Sequence, residues 1–301
     1  MKILALLFAL VLPLAAQPYP LKHQFTRHGT GLPDVQTHPA FKLAAPLPAS
    51  NTDLESTFSF TNQGGAGACG AFSGSEAYSS VFQIKNGKPC RLSEMDIYAQ
   101  ARILGGTFPQ DSGVSNSDLI KAMLNGAVLY TTWPYDYTKI DTNTKITPAI
   151  TAERANHRSL KGYSLDKGAL IDLYKQCIVN LKVAPIAGTY WYANQFSETS
   201  VVCKTKDAAG KAITVTRHVM ANPKGKAAGG HDIPIIAYDD NMVFPNGDVG
   251  GVEFHNHWAN DSTGKIPWGD VHGSCWTSYK FLANRKYVDD PVVVVDGIVT
   301  P

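Results

Sequence analysis

Asn62-Gln63-Gly64-Gly65-Ala66-Gly67-Ala68-Cys69-Gly70-Ala71-Phe72-Ser73 is the stretch of this 301-residue chain on which fold and chemistry turn. A glycine-rich run delivers a cysteine to the start of a helical pattern. Ala71, Phe72, Ser75, Ser79 and Phe82 recur on one helical face from Ala71 to Gln83, and Asn86-Gly87 followed by Pro89 stops the pattern. Helix N-termini carry free N–H groups and partial positive charge, which favour a thiolate over a thiol. A thiolate there is a nucleophile, and Gly64, Gly65 and Gly67 let a substrate approach the backbone closely.

Outward from this stretch the first half continues helical. Ser93, with Asp96 three positions on, resembles a capping arrangement for a second helix that ends by Gly105-Gly106. A third helix is expected from about Asp118 to Leu124, and a fourth from about Ala169 to Asn180. After Lys182 the pattern turns to strands: Val183–Thr189, Ser200–Lys204, Ile213–Val219, Asp232–Tyr238, Val252–His257, Trp276–Leu282 and Val292–Val299. Helices followed by strands read as α+β.

Composition sets outer limits. The chain is 44% hydrophobic and 17% charged with a formal net charge of +2, ordinary for one large globular domain. No run of one sign points to nucleic acid or to an anionic membrane as partner. The N-terminus differs: Lys2, an apolar run from Ile3 to Leu14, then Ala15-Ala16 make a secretory signal peptide of residues 1–16, too short to span a bilayer. The expected destination is therefore secreted or periplasmic. Residues 17–46, with several prolines, histidines and glycines, read as a short, loosely structured pro-segment or arm. Of the five cysteines, Cys90, Cys177, Cys203 and Cys275 are free to pair or to remain thiols if Cys69 stays a thiol.

The second half offers partners for Cys69. Gly229-Gly230-His231-Asp232-Ile233-Pro234 puts a histidine at the mouth of an apolar strand, and Val252-Glu253-Phe254-His255-Asn256-His257-Trp258 follows. Gln63, Cys69, Ala71-Phe72-Ser73, Leu92-Ser93-Glu94, Trp133-Pro134-Tyr135, Gly230-His231, Asn256, Trp258 and Trp268-Gly269 occur in the order found in papain-like cysteine peptidases, and from about Leu47 to Leu282 the chain resembles that family. The family places its His and Asn roughly 130–150 residues after the Cys. Here they follow at 162 and 187 residues, which fits an insertion across the polar segment from Lys204 to Ala228.

The resemblance implies a papain-like two-lobed fold, with a helical N-terminal lobe at about 47–180 and an antiparallel β-rich C-terminal lobe at about 181–301. It implies a secreted cysteine peptidase acting on peptide or protein substrates, as a monomer and without a cofactor. Protein inhibitors would be a further class of partner. Cys69 is the nucleophile it implies, His231 the base and proton donor, Asn256 the group that orients His231, and Gln63 an oxyanion donor. Gly113 is assigned to pairing with substrate backbone, and Trp258 to shielding the His–Asn bond. Departures are Ala66, where the family has a disulfide cysteine, and Gly70, where it has an aromatic residue; the latter is expected to open the wall beside the thiol. A catalytically inactive papain-fold binding module and a cysteine-dependent acyl transferase are the competing readings. A zinc reading of His255, His257, His272 and Cys275 is set aside, because neighbours of Asn256 on a pleated strand face away from it.

Overall fold

In this computed structural model the chain is described at residues 30–42, 46–58, 61–88, 90–141, 146–196, 198–258, 269–270 and 272–299. The signal segment, Trp268 and residues 17–29 of the arm lie outside them. The helices are α1 (Pro39–Lys42), α2 (Cys69–Asn86), α3 (Glu94–Leu104), α4 (Asn116–Asn125), α5 (Pro148–Arg154), α6 (Leu170–Gln176) and α7 (Tyr279–Leu282). The strands are β1 (Ser50–Asn51), β2 (His157–Ser164), β3 (Ile186–Tyr192), β4 (Glu198–Lys206), β5 (Ala212–Met220), β6 (Ala227–Val243), β7 (Val249–His255), β8 (Ser274–Ser278) and β9 (Val288–Val299). No helix among the described residues is long and apolar enough to cross a membrane.

Helix α2 begins at the cysteine itself, and Gly87 ends it in the left-handed conformation at φ 69°. Ser93 and Ser115 cap α3 and α4 by accepting from the backbone N–H three residues on, at 3.0 and 3.2 Å. Asp96 of α3 is fully buried. It pairs with Arg154 of α5 and accepts from the Val128 N–H at 3.0 Å, which joins α3, α5 and the chain between them. Arg102, also buried, donates to the carbonyls of Pro109, Gln110 and Ile140 and so fixes the loop that leads to Gly113.

The strands form one sheet in the order β2-β9-β3-β6-β4-β5-β8-β7, and β7 also pairs with β6, closing a ring of β6, β4, β5, β8 and β7. The named pairs are antiparallel, apart from a parallel bridge between Val219 of β5 and Trp276 of β8. Strand β6 is the longest at 17 residues and pairs with β1, β3, β4 and β7. The polar segment expected as an insertion contains most of a β-hairpin, β4–β5, whose turn is closed by the Asp207 N–H donating to the Lys211 carbonyl at 2.9 Å.

Four expectations need correcting. Residues 157–164, placed in the helical half, form β2 and pair with β9 through seven register partners, because β9, paired with β3 along one edge, has backbone N–H and C=O groups along the other that need partners. The strand begun at Trp276 stops at Ser278 and turns into α7. The expected fourth helix ends its α-helical part at Gln176 and continues as a wider π turn over Cys177–Leu181. The arm is also more than a loose segment where it is described. Val35 is fully buried, Asp34 bridges to Ser164, and the Thr30 carbonyl accepts from Ser117 of α4 at 2.9 Å. All five cysteines are buried free thiols.

Removal of the arm, residues 17–46, would therefore take core residues such as Val35 and Phe41 with it. Val35→Ala is expected to lower the unfolding free energy by about 1–3 kcal/mol in a denaturant titration. A peripheral arm would leave the midpoint unchanged.

Candidate active site

The glycine-rich stretch forms a tight loop against the end of β7. Asn62 bridges to Trp258, and the Gln63 N–H donates to the His257 carbonyl at 2.9 Å. Gly64 takes φ 57°, a conformation open to glycine, and the Tyr137 ring lies where a Cβ would sit, 2.4 Å from it. Asp111 accepts from the Gly67 N–H at 2.9 Å and from the Tyr98 hydroxyl at 2.6 Å, tying the loop to the segment ahead of α4. The Gln63 side chain is fully buried and uses one N–H on the Ala66 carbonyl at 2.9 Å. A second N–H on the same nitrogen is left for another acceptor.

The other half of the site comes from β6 and β7. His231 lies in β6 opposite Thr189 of β3, and the Thr189 hydroxyl donates to the His231 carbonyl at 2.8 Å. His231 Nε2 donates to Asn256 Oδ1 at 2.8 Å. That oxygen also accepts from the His257 N–H at 2.9 Å, which fixes the amide orientation. With Nε2 as donor, Nδ1 is the basic nitrogen of a neutral ring. The imidazole packs beside a pair of touching indoles, with Trp258 at 4.6 Å and Trp191 at 4.9 Å from it and 4.8 Å from each other between centroids. Trp258 is only 2% exposed and Asn256 also 2%, so the His–Asn bond is kept from water.

Cys69 starts α2 and meets β6 through Asp232, the residue after the histidine. Its Sγ donates to Asp232 Oδ2 at 3.8 Å. Burial pushes the thiol pKa well above its ordinary value, and the negative charge of Asp232 pushes it further. The helix N-terminus works in the other direction. So do the hydrogen bonds to the sulfur from the backbone N–H groups of Asp232 and Gly70. Gly70 leaves no open wall: a Cβ there would lie 2.8 Å from Val114 Cγ2 and 2.9 Å from Asp232 Oδ2. The space of the missing aromatic is filled from two neighbouring segments. Gly113 is buried, and its N–H donates to the Tyr98 hydroxyl at 3.1 Å, so that donor is engaged within the protein rather than turned to a ligand.

Helix α2 is anchored to β7 by a buried ionic cluster that sequence reasoning missed. Glu76 accepts from His255 Nδ1 at 2.9 Å, from His257 Nδ1 at 3.2 Å and from the Thr61 hydroxyl. His255 Nε2 donates to the His272 carbonyl at 2.8 Å, so both its nitrogens carry protons and the ring is an imidazolium. His257 Nε2 shares a hydrogen bond with Ser73 Oγ at 3.1 Å. The donor set of Glu76, His255 and His257 has the residue types of a metal site. Hydrogen bonds nonetheless satisfy every ring nitrogen. Asn256 faces His231 while its two neighbours face Glu76, as the strand pleat requires.

Burial opposes charge on both members of the pair, but their mutual attraction wins: the Glu76 pKa is lowered and the His255 pKa raised. Asp232, Trp191 and Glu76 were the functional side chains not foreseen. An acidic residue seven positions after the cysteine in an otherwise uncharged helical stretch was the available signal for Glu76.

No family model matches the sequence, and no curated protein matches it significantly. Solved structures do. Xylellain, a cysteine protease from Xylella fastidiosa, superposes with a TM-score of 0.68 at 18% identity, covering 94% of this chain and 97% of that one. Procathepsin B S9 from Trypanosoma congolense gives 0.63 at 16% identity over 92% and 86% of the two chains. The bromelain protease from Ananas comosus, solved with the E64 inhibitor, gives 0.55 at 17% identity over 83% and 99%. The α+β architecture is thus that of cysteine proteases. More narrowly, the chain has the papain-like cysteine peptidase fold.

The Glu76 cluster has a defined pH window. Glu76, with its pKa depressed, contributes fully above its ordinary value of 4.5 and loses the contribution as pH falls towards the lowered value. His255, with its pKa raised, contributes fully below 6.5 and loses the contribution as pH rises through the raised value. Glu76→Gln strands a buried imidazolium and is expected to lower stability by about 3–5 kcal/mol. Denaturant titrations across pH should find the gap to wild type widest between 4.5 and 6.5.

Proposed function

We propose that this protein is a secreted cysteine peptidase that hydrolyses peptide bonds through a Cys-His-Asn triad and a thioester acyl-enzyme. The observation that carries the reading is the His231 Nε2–Asn256 Oδ1 hydrogen bond, formed on strands whose neighbouring residue Asp232 touches Cys69. It leaves Nδ1 as the basic nitrogen for the sulfur's proton. In the proposed reaction the Cys69 S–H proton moves to His231 Nδ1, and the sulfur attacks the scissile carbonyl. His231 then protonates the leaving amine, and water hydrolyses the thioester. Gln63 and the Cys69 backbone N–H would donate to the developing oxyanion. Trp258 and Trp191 keep water from the imidazole.

Export is supported by Lys2, the apolar run Ile3–Leu14 and Ala15-Ala16, with residues 17–46 as an arm and the peptidase domain from residue 47. Peptide or protein substrates, a monomeric state and susceptibility to protein inhibitors belong to the same proposal.

Alanine substitutions should rank the residues. Cys69→Ala is expected to abolish turnover of a peptide substrate in a folded protein, with His231→Ala nearly as severe. Gln63→Ala removes one oxyanion donor and should reduce the rate about 10²–10³-fold. Asn256→Ala should leave measurable activity, because Trp258 and Trp191 still hold the ring. The measurement is kcat/KM for each variant on one peptide, after circular dichroism shows native secondary structure. Undiminished turnover in Cys69→Ala would end this reading.

A further inference from the structure

Each donor atom of the Glu76 cluster is backed by a partner of its own. Glu76 Oε2 lies 2.9 Å from His255 Nδ1 and 3.2 Å from His257 Nδ1, while the Thr61 hydroxyl holds the other carboxylate oxygen. Behind the rings, His255 Nε2 meets the His272 carbonyl at 2.8 Å and His257 Nε2 meets Ser73 Oγ at 3.1 Å. Two Nδ1 atoms and a carboxylate oxygen thus converge within 4.8 Å of one another. Metal-bound histidines present one nitrogen to the ion and engage the other with such an outer partner, and ligating carboxylates are tethered in the same way.

We propose that Glu76, His255 and His257 bind one transition-metal dication, zinc by its donor set, which fastens α2 to β7. Two imidazoles and a carboxylate suit zinc, whereas magnesium and calcium take oxygen shells. A tetrahedral zinc with bonds of about 2.1 Å sets its ligands roughly 3.4 Å apart, close to the two contacts of Glu76 Oε2. The ion takes the place of the proton on His255 Nδ1, which leaves to solvent, and His257 turns its own proton to Ser73 Oγ. Glu76, the one ligand of the three that is not fully enclosed, lines a cavity of about 280 Å³ together with Thr61, Ser75, Ser79 and Gln83. That cavity gives the ion a way in and room for a water as fourth ligand.

The strand pleat that speaks against an ion among the catalytic groups is what assembles this site. Residues 255 and 257 turn from the Asn256 side towards α2, where Glu76 completes the set. His272 and Cys275 stay outside it. His272 offers its backbone carbonyl, and the Cys275 thiol donates to the Trp276 carbonyl at 3.8 Å.

The test uses the full chain carrying Cys69→Ala, which withdraws that sulfur as a rival ligand and makes the outcome independent of the peptidase reading. After treatment with a chelator and its removal, calorimetric titration with zinc is expected to show one ion per chain, and magnesium no heat. Cobalt(II) should give the visible bands of a four-coordinate ion without a thiolate charge-transfer band. His257→Phe keeps the Glu76–His255 pair and the ring packing on Phe72, and removes one ligand. It should weaken zinc binding by more than the roughly tenfold to hundredfold that outer partners typically carry. Ser73→Ala, which removes such a partner, should weaken binding within that range and serves if His257→Phe fails to fold. No zinc binding to the folded protein would overturn the proposal. So would unchanged affinity in a folded variant, or a thiolate band in the cobalt spectrum, since the ion would then sit elsewhere. If zinc binds as expected while the chain with Cys69 intact cleaves no peptide, the peptidase reading fails and the metal site stands.

Discussion

The buried carboxylate of Glu76 is the constraint on which the rest of the site depends. Helix α2 begins with Cys69, and further along it the same helix presents Glu76 to the two histidines that flank Asn256. Cys69 and Asn256 are therefore indexed to each other through one ionic contact. A burial penalty of several kcal/mol per isolated charge makes such a contact all-or-none. Either the helix seats fully on the sheet with its carboxylate satisfied, or a charge is stranded.

Strand β6 supplies the second reference. Its 17 residues reach β1, β3, β4 and β7; the segment around His231 pairs with β3, and β7 takes up the strand from Ile235 onward. Thr189 across the β3 pairing locks the His231 carbonyl, and Trp191 two residues on reaches the imidazole face. A histidine so confined has little rotamer freedom left. Preorganisation of this kind is where catalytic sites gain most over the same groups in water.

Much of this was legible in the sequence because it rests on local rules. Ser93 and Ser115 cap helices as short-range chemistry requires, Gly87 ends α2, and the alternation around Asn256 predicts which way its neighbours face. What escaped depends on distant pairing. Strand β2 carries a mixed pattern, its Leu160 46% exposed, and becomes a strand because β9 offers a partner. Val35 sits in a segment rich in turn-formers, and nothing nearby in sequence announces its burial or the ties of Asp34 to β2 and of Thr30 to α4. Gly70 looked like an opening because the two side chains that close it come from Val114 and Asp232, 44 and 162 residues away.

The five unpaired cysteines bear on how the protein comes to be made. Cys177, Cys203 and Cys275 are fully buried among apolar neighbours, where they act as small hydrophobic side chains rather than as cross-links. The native state then contains no bond that must be formed by an oxidant or sorted by an isomerase. Its maturation is uncoupled from the redox poise of the compartment in which it folds. The hazard shifts to the unfolded chain, whose five thiols are open to mispairing until collapse hides them. Speed of folding, rather than oxidative machinery, becomes the safeguard for a protein built this way.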